Sequence, residues 1–208
     1  MILKAKHNFF IYPFFQKYAI WKIKRCFEKV NVLGEFDDRK LPVLILSNHV
    51  SWWDGFWISY LNVKFLHRKF HFMMLENQLR KFWFFNYTGG FSVNKNARSV
   101  LETIDYTAKL LADGNNMVML FPQGEIQSIH NNNMQFQRGI DRIMKKLTNK
   151  IQILFVVNLT DYFSNPKHTL FQYIKEYEYS QFDFRDLEKQ YQIFYNQSIE
   201  NQIINANK

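Results

Sequence analysis

The chain contains one cysteine, Cys26, among its 208 residues. One cysteine cannot form an intrachain disulfide, and this composition is typical of a reducing compartment. The chain also lacks an apolar run that could cross a membrane, because its most apolar window, residues 41–63, carries Asn48, His49 and Asp54 near its centre. Polar and ionisable groups at that depth would be expensive in lipid, so we expect no transmembrane span.

Several chemical motifs are missing as well. The sequence has no G-x-S-x-G elbow, no phosphate-binding loop and no G-x-G-x-x-G fingerprint. No motif therefore indicates a serine hydrolase or a nucleotide-binding domain. His67 and His71 are four residues apart and could share a helix face as metal ligands, but no acidic residue stands where a zinc protease needs one. Their context is typical of a strand edge, and we expect neither a metal site nor a bound cofactor.

The charge of the chain is strongly positive. Its formal net charge is +9, its pI is about 9.5, and 18% of its residues are aromatic. Such a balance favours anionic partners, which include nucleic acid, an acidic carrier protein and an anionic membrane surface. The basic residues are spread along the chain and most aromatic residues lie in apolar runs, a distribution that disfavours nucleic-acid binding. We therefore expect a membrane or carrier-protein partner.

Apolar runs alternate with helical patterns along most of the chain. This alternation predicts a single α/β domain with a mixed, mostly parallel central sheet flanked by helices. The strands are expected at 43–46, 71–75, 91–93, 117–121, 151–157 and 170–177. The helices are expected at 55–61, 76–85, 97–112, 136–147 and 184–204.

The N-terminal region differs from the rest in being both basic and aromatic. Over residues 4–30, Pro13 should break the helical pattern into two short pieces. The segment resembles a secretion signal superficially but lacks a small-residue cleavage site, so we expect it to be retained. Two interpretations remain open, an amphipathic helix in a membrane interface and a terminal helix packed on the domain. We assign residues 1–35 to an N-terminal amphipathic helical segment and residues 36–208 to the main domain.

One stretch places a histidine and an aspartate where a strand passes into a helix. The apolar residues 43–46 indicate a buried strand, and a helix is expected from Gly55 onward. Five residues of continuous helix would turn the side chains of His49 and Asp54 about 140° apart. They can therefore meet only if His49 lies in the turn and Asp54 folds back onto it. The alternative is an ordinary turn followed by a capping aspartate.

A second stretch, residues 119–125, ends an apolar run in Pro122 and Gly124. Together the two stretches resemble the glycerolipid acyltransferases, the lysophosphatidic-acid-acyltransferase-like enzymes. His49 and Asp54 match the H-x4-D motif of that family, and residues 121–124 are similar to its F-P-x-G block.

Two further blocks of the family lie in the expected order. Residues 89–95 resemble its glycine-aromatic-hydrophobic-basic block, and residues 136–139 are similar to its F-K-x-G segment. The ordered set covers about residues 40–160, and this coverage makes the resemblance specific.

The resemblance implies an O-acyltransferase at the cytoplasmic face of a membrane, bound peripherally. His49 would be the general base and Asp54 would hold its ring. Phe121, Pro122 and Gly124 would form the donor and oxyanion site. The resemblance requires no metal and no covalent acyl-enzyme, and the co-substrate would be an acyl thioester of coenzyme A or of acyl carrier protein.

The third block departs from the family pattern F-P-E-G-T-R-S. The chain has Gln123 for the glutamate, Glu125 for the threonine and Ile126 for the arginine, which argues against tight phosphate binding there. Lys95 keeps a positive charge in the second block, and Arg98 is close by. The acceptor site implied by the resemblance comprises Gly90, Lys95, Arg98, Gln123 and Glu125.

Two kinds of acceptor therefore stay open. One is a lysophospholipid of the 1-acylglycerol-3-phosphate type, held by Lys95 and Arg98. The other is the hydroxyl of an unphosphorylated lipid, such as a glycosylated carotenoid or an amino-acid lipid. A hypothesis of another class is a lipid-binding protein without catalytic activity.

Overall fold

The apolar runs of the sequence form the strands of one sheet in the computed structural model, which describes residues 1–94 and 96–206. Seven strands of this described part lie in the spatial order β1-β7-β6-β2-β5-β3-β4. Their bounds are β1 Lys29–Leu33, β2 Val43–Ser47, β3 Lys69–Leu75, β4 Gly90–Val93, β5 Asn116–Leu120, β6 Gln152–Asp161 and β7 Thr169–Tyr177.

The sheet is mixed and mostly parallel, as predicted. Strands β6 and β7 pair antiparallel, and the remaining neighbours pair in parallel. Strand β2 lies between β5 and β6, and all five of its residues are buried. A strand that is covered by helices on both faces needs a continuous apolar run, which is the pattern of residues 43–46.

Six α-helices of the described part flank this sheet. They are α1 Ile11–Cys26, α2 Asp54–Leu61, α3 Glu76–Lys81, α4 Ala97–Leu110, α5 Gly139–Lys146 and α6 Phe184–Ala206. Three apolar clusters fill the space between sheet and helices, and the largest one contains side chains of α4, α5 and α6. The helix expected over 76–85 is shorter than predicted, because α3 ends at Lys81 and a 3-10 turn, Trp83–Tyr87, follows it.

The N-terminal region contains one continuous helix and a strand. The prediction that Pro13 divides the helix is wrong, because Pro13 lies in the first turn of α1, where the missing N–H has no helical partner to lose. Strand β1, which the sequence did not predict, follows α1 and pairs with β7, with Lys29 opposite Thr169.

Residues 2–8 run along the outer edge of β4. The carbonyl of Leu3 accepts from the N–H of Ser92 at 2.9 Å, and the carbonyl of Lys6 accepts from the N–H of Gly89 at 3.1 Å. His7 then packs edge-on against His71 of β3, with ring centroids 4.8 Å apart. These contacts fix the start of α1 on the sheet. No helix in the described ranges is long and apolar enough to cross a bilayer.

Candidate active site

The two motif stretches meet because the strands before them are neighbours. Strands β2 and β5 pair in parallel, with Leu46 opposite Leu120, so the loops that follow them leave the same edge of the sheet. Ligand sites of open α/β sheets lie at this carboxyl edge. The loop after β2 carries His49, and the loop after β5 carries residues 121–125.

His49 and Asp54 are in contact. The Nδ1 atom of His49 lies 2.9 Å from Oδ2 of Asp54, and the same oxygen accepts from the backbone N–H groups of Val50 at 2.7 Å and Ser51 at 2.9 Å. Asp54 is the first residue of α2, and its side chain folds back over the turn. Because a carboxylate oxygen only accepts, Nδ1 carries the proton in the neutral ring and Nε2 is the basic nitrogen.

The carboxyl group of Asp54 lies in an apolar environment. Its side chain is fully buried, and burial raises its pKa, whereas the hydrogen bonds from His49, Ser51 and Val50 act in the opposite direction. Its second oxygen, Oδ1, has no hydrogen-bond partner among the described residues. The imidazole of His49 is 19% exposed and borders a cavity. The pair thus consists of a buried carboxylate behind a partly accessible base.

The loop after β5 holds His49 from the other side. The ring of Phe121 stacks on the imidazole with centroids 3.8 Å apart and planes 5° from parallel. The side-chain Oε1 of Gln123 accepts from the N–H of His49 at 2.7 Å, and the N–H of Gln127 donates to the carbonyl of His49 at 2.9 Å. Ring and backbone of His49 are therefore fixed by one loop.

Phe121, Pro122 and Gly124 all line the cavity beside His49. Gly124 has a φ of +78°, a conformation that favours glycine, and its N–H donates to the carbonyl of Phe121 at 3.1 Å. This N–H is therefore used within the turn. The N–H of the next residue, Glu125, makes no hydrogen bond to a described residue.

The cavity has a volume of about 630 Å³. Its wall is mainly apolar and comes from β3, from the turn after α3, and from α1. The side chains that line this apolar part are Tyr12, Phe15, Phe70, Phe72, Met73, Met74, Leu75 and Phe85. The arrangement is an oriented base at one side of an apolar cleft, and it can deprotonate a hydroxyl next to a long hydrocarbon chain.

A family model described as Acyltransferase matches residues 29–157, more than half of the chain. The chain belongs to the acyltransferase family. The match confirms the membership of the glycerolipid acyltransferase family that the motifs predicted, and with it acyl transfer to a lipid acceptor. Comparison with curated proteins gave no match.

The residues expected to bind the acceptor of this acyltransferase are dispersed. Lys95 lies outside the described residues, and of the other four only Glu125 borders the cavity. Gly90 is buried in β4, where an added Cβ would lie 2.7 Å from the carbonyl oxygen of Phe85. The guanidinium of Arg98 is solvent-exposed and pairs with Glu102, and the side chain of Gln123 is turned toward His49.

The charges at the cavity are consequently few. Among the described residues that line it, none is a lysine or an arginine, and Glu125 carries the one carboxylate. Glu125 is exposed, and no ion pair joins it to a described cation. No group of three or more potential metal-ligating side chains occurs within the described ranges.

A buried polar network behind the site was not predicted. The side chain of Asn48 donates to the carbonyl of Asn158 at 3.0 Å and accepts from its N–H at 2.8 Å. The amide of Asn158 in turn bonds Ser47 at 3.0 Å and Gln172 at 2.9 Å. Polar residues within apolar strands were the available signal, and the network ties β2 to β6 directly before His49.

Proposed function

We propose that this acyltransferase is a membrane-associated O-acyltransferase that moves a fatty acyl group from an acyl thioester to a hydroxyl of a lipid. The donor is acyl-coenzyme A or the acylated form of acyl carrier protein. The observation that carries the proposal is the imidazole of His49, which is hydrogen-bonded to Asp54 at 2.9 Å and borders an apolar cavity of about 630 Å³.

His49 is the general base of the proposed reaction. Its Nε2 takes the proton of the acceptor hydroxyl as the oxygen attacks the thioester carbonyl, and the carboxylate of Asp54 stabilises the imidazolium that forms. When the tetrahedral intermediate collapses, the C–S bond breaks and the thiolate takes the proton from Nε2. The free thiol and the ester leave, and His49 is neutral again.

The intermediate also needs donors for its negative oxygen. The N–H of Gly124 is used within its turn, so we assign this role to the N–H of Glu125, the next residue of the same loop. A backbone donor fixed beside the base requires no rearrangement during the reaction.

The apolar wall of the cavity fits the acyl chain. Phe72, Met73 and Met74 of β3 and Phe85 after α3 lie in one continuous lining with His49. Burying a methylene group stabilises a complex by about 0.8 kcal/mol, so an acyl chain within this wall would bind well without polar contacts.

The charges favour an acceptor without a phosphate over a lysophospholipid. Arg98 faces solvent and pairs with Glu102, whereas the carboxylate of Glu125 borders the cavity. A phosphate near an unpaired carboxylate would be repelled, and the described lining offers no guanidinium or ammonium group to offset this repulsion.

Exposed aromatic residues support peripheral attachment to a membrane. Phe10, which directly precedes α1, and Phe14 and Trp21 within it are exposed to solvent, while Tyr12 and Phe15 of the same helix line the cavity. Lysines accompany these residues along the helix, as expected for a segment that lies at an anionic interface. This placement would bring the cavity to the lipid surface, from which the acceptor comes.

Purified protein with radiolabelled acyl donors tests the proposal. The acceptors are an alkylglycerol ether, the same ether carrying a terminal phosphate, and a lipid extract of the host, each offered with acyl-coenzyme A and with acyl carrier protein. We expect transfer to the unphosphorylated ether and to a lipid of the extract, and none in the His49→Ala variant. Preferred transfer to the phosphorylated ether would overturn the choice of acceptor.

Absence of transfer from both donors to all acceptors would overturn the enzymatic proposal. Full activity of folded His49→Ala protein would overturn the assignment of His49 as the general base. Circular dichroism of the variant checks its folding.

A further inference from the structure

The side chain of Gln123 is enclosed by protein and uses both ends of its amide. It is 2% exposed. Its Oε1 accepts from the N–H of His49 at 2.7 Å, and its Nε2 donates to Oε1 of Gln127 at 3.0 Å. Gln123 does not line the cavity, whereas its neighbours Pro122 and Gly124 do.

Gln127 completes this arrangement. Its N–H donates to the carbonyl of His49 at 2.9 Å, so the backbone of His49 is held at its donor and at its acceptor. The Oε1 of Gln127 also accepts from the side chain of Asn131 at 2.9 Å. The N–H of His49 requires an oxygen at Gln123, which turns the amino group of Gln123 toward Gln127. The orientation of each amide is therefore determined by its neighbours.

We infer that Gln123 and Gln127 are positioning residues for the base and that Gln123 does not bind the acceptor. The inference rests on the proposed function, in which His49 is that base. The loop that carries both residues also carries Phe121, which stacks on the imidazole at 3.8 Å. One rigid loop thus sets the backbone position of His49 and the plane of its ring, while Asp54 sets the rotation of the ring.

The replacement of a carboxylate by an amide at this position follows from the same contacts. A glutamate at position 123 could still accept from the N–H of His49. Its second oxygen, however, would face Oε1 of Gln127, where two acceptors would meet without a proton between them. An amide satisfies both neighbours, and it adds no second buried charge beside Asp54.

Steady-state kinetics of three variants separate positioning from acceptor binding. In Gln123→Leu the N–H of His49 loses its acceptor, and we expect kcat to fall about 100-fold while the acceptor KM changes by less than about twofold. Gln123→Glu keeps one acceptor oxygen and should recover part of that loss. Glu125→Gln is the matched control from the same loop, and it should change the acceptor KM because Glu125 borders the cavity.

A second readout does not depend on catalysis. The amide proton of His49 should resonate downfield in a 1H–15N spectrum, because it donates a short hydrogen bond, and should move upfield and exchange faster in Gln123→Leu. An unchanged His49 amide signal, or an acceptor KM that rises at constant kcat, would overturn the inference. If wild-type protein showed no acyl transfer, the proposed function would be refuted. The amide signal of His49 would still show whether Gln123 holds its backbone.

Discussion

At the residue scale, the chemistry depends on one oxygen atom. Oδ2 of Asp54 receives three N–H donors, from His49, Val50 and Ser51, and it holds both the ring and the turn that carries it. The other oxygen of Asp54, Oδ1, accepts no hydrogen bond from a described residue. A change at Oδ2 would therefore not be compensated by hydrogen bonds to Oδ1.

The variant Asp54→Asn tests this dependence. The amide keeps one acceptor oxygen but cannot stabilise an imidazolium, and we expect kcat to fall by about 10²–10⁴. The acceptor KM should stay near its wild-type value, because Asp54 is fully buried and does not line the cavity. Acyl-transfer kinetics measure both quantities, and a kcat close to wild type in folded Asp54→Asn protein would contradict the prediction.

The residues of this site that belong to local motifs could be predicted from the sequence. His49, Asp54 and residues 121–124 could be named because they match local motifs of the acyltransferase family and follow predicted strands. The role of Gln123 could not be predicted, since its hydrogen bond joins residues 74 positions apart and side-chain direction is set by tertiary packing. The placement of Arg98 away from the cavity could not be predicted either, since it depends on which face of α4 packs against the sheet; its pairing with Glu102 is a local contact within that helix.

At the element scale, the junction between residues 2–8 and β3 contains a buried histidine, His71, and a half-buried one, His7. The pKa of His71 is lowered to about 4, mainly by burial; the nearby His7 and Lys69 contribute to this lowering, whereas Asn116 and Asp113 oppose it. The pKa of His7 is lowered as well, mainly by burial. The protonated forms are therefore disfavoured in the folded state.

Stability should consequently decrease in acid. The unfolded chain binds protons at these histidines below about pH 6.5, while folded His71 stays neutral until about pH 4. The free energy of unfolding that comes from neutral His71 is fully present above the pKa of the unfolded chain. It is lost as the pH falls toward the pKa of the folded protein, by up to about 3 kcal/mol. Urea unfolding of wild type and His71→Gln at about pH 7 and pH 5 measures it. An equal loss of unfolding free energy in both proteins would contradict this account.

Most elements could be predicted from periodicity, and the exceptions have physical reasons. The continuous helix α1 was missed because a proline in the first turn is compatible with a helix, and only the position of the helix start decides this. Strand β1 alternates lysine and asparagine with valine, as a half-exposed edge strand does, but it is only five residues long and directly follows the basic helical segment, so it was missed.

At the scale of the whole molecule, exposed apolar residues and positive charge coincide on the N-terminal side. Phe10 and Phe14 are 77% and 61% exposed, and α1 carries three lysines and an arginine but no acidic residue. We expect binding to vesicles that contain anionic lipid, with an affinity that decreases as salt is added.

The double variant Phe10→Ser/Phe14→Ser should bind such vesicles at least about tenfold more weakly, because burying each ring contributes about 1.5–3 kcal/mol. Leu101→Ser is the matched control, since Leu101 is also exposed but lies on α4. Vesicle cosedimentation measures both variants. Equal losses in the two proteins would show that the effect is not specific to α1.

The global architecture was the most predictable feature, because alternating strand and helix patterns leave few folds. The order of the strands and the cover along β4 were not predictable, since neither depends on a local pattern.

That cover has a consequence for the behaviour of the protein in a crowded solution. β4 is an edge strand of the sheet, and an edge strand ordinarily presents unpaired peptide groups to a strand from another molecule. Leu3 and Lys6 already occupy the peptide groups of Ser92 and Gly89. Residues 2–8 thus prevent the addition of a strand from another molecule to β4. Their removal would favour self-association while leaving the catalytic groups in place.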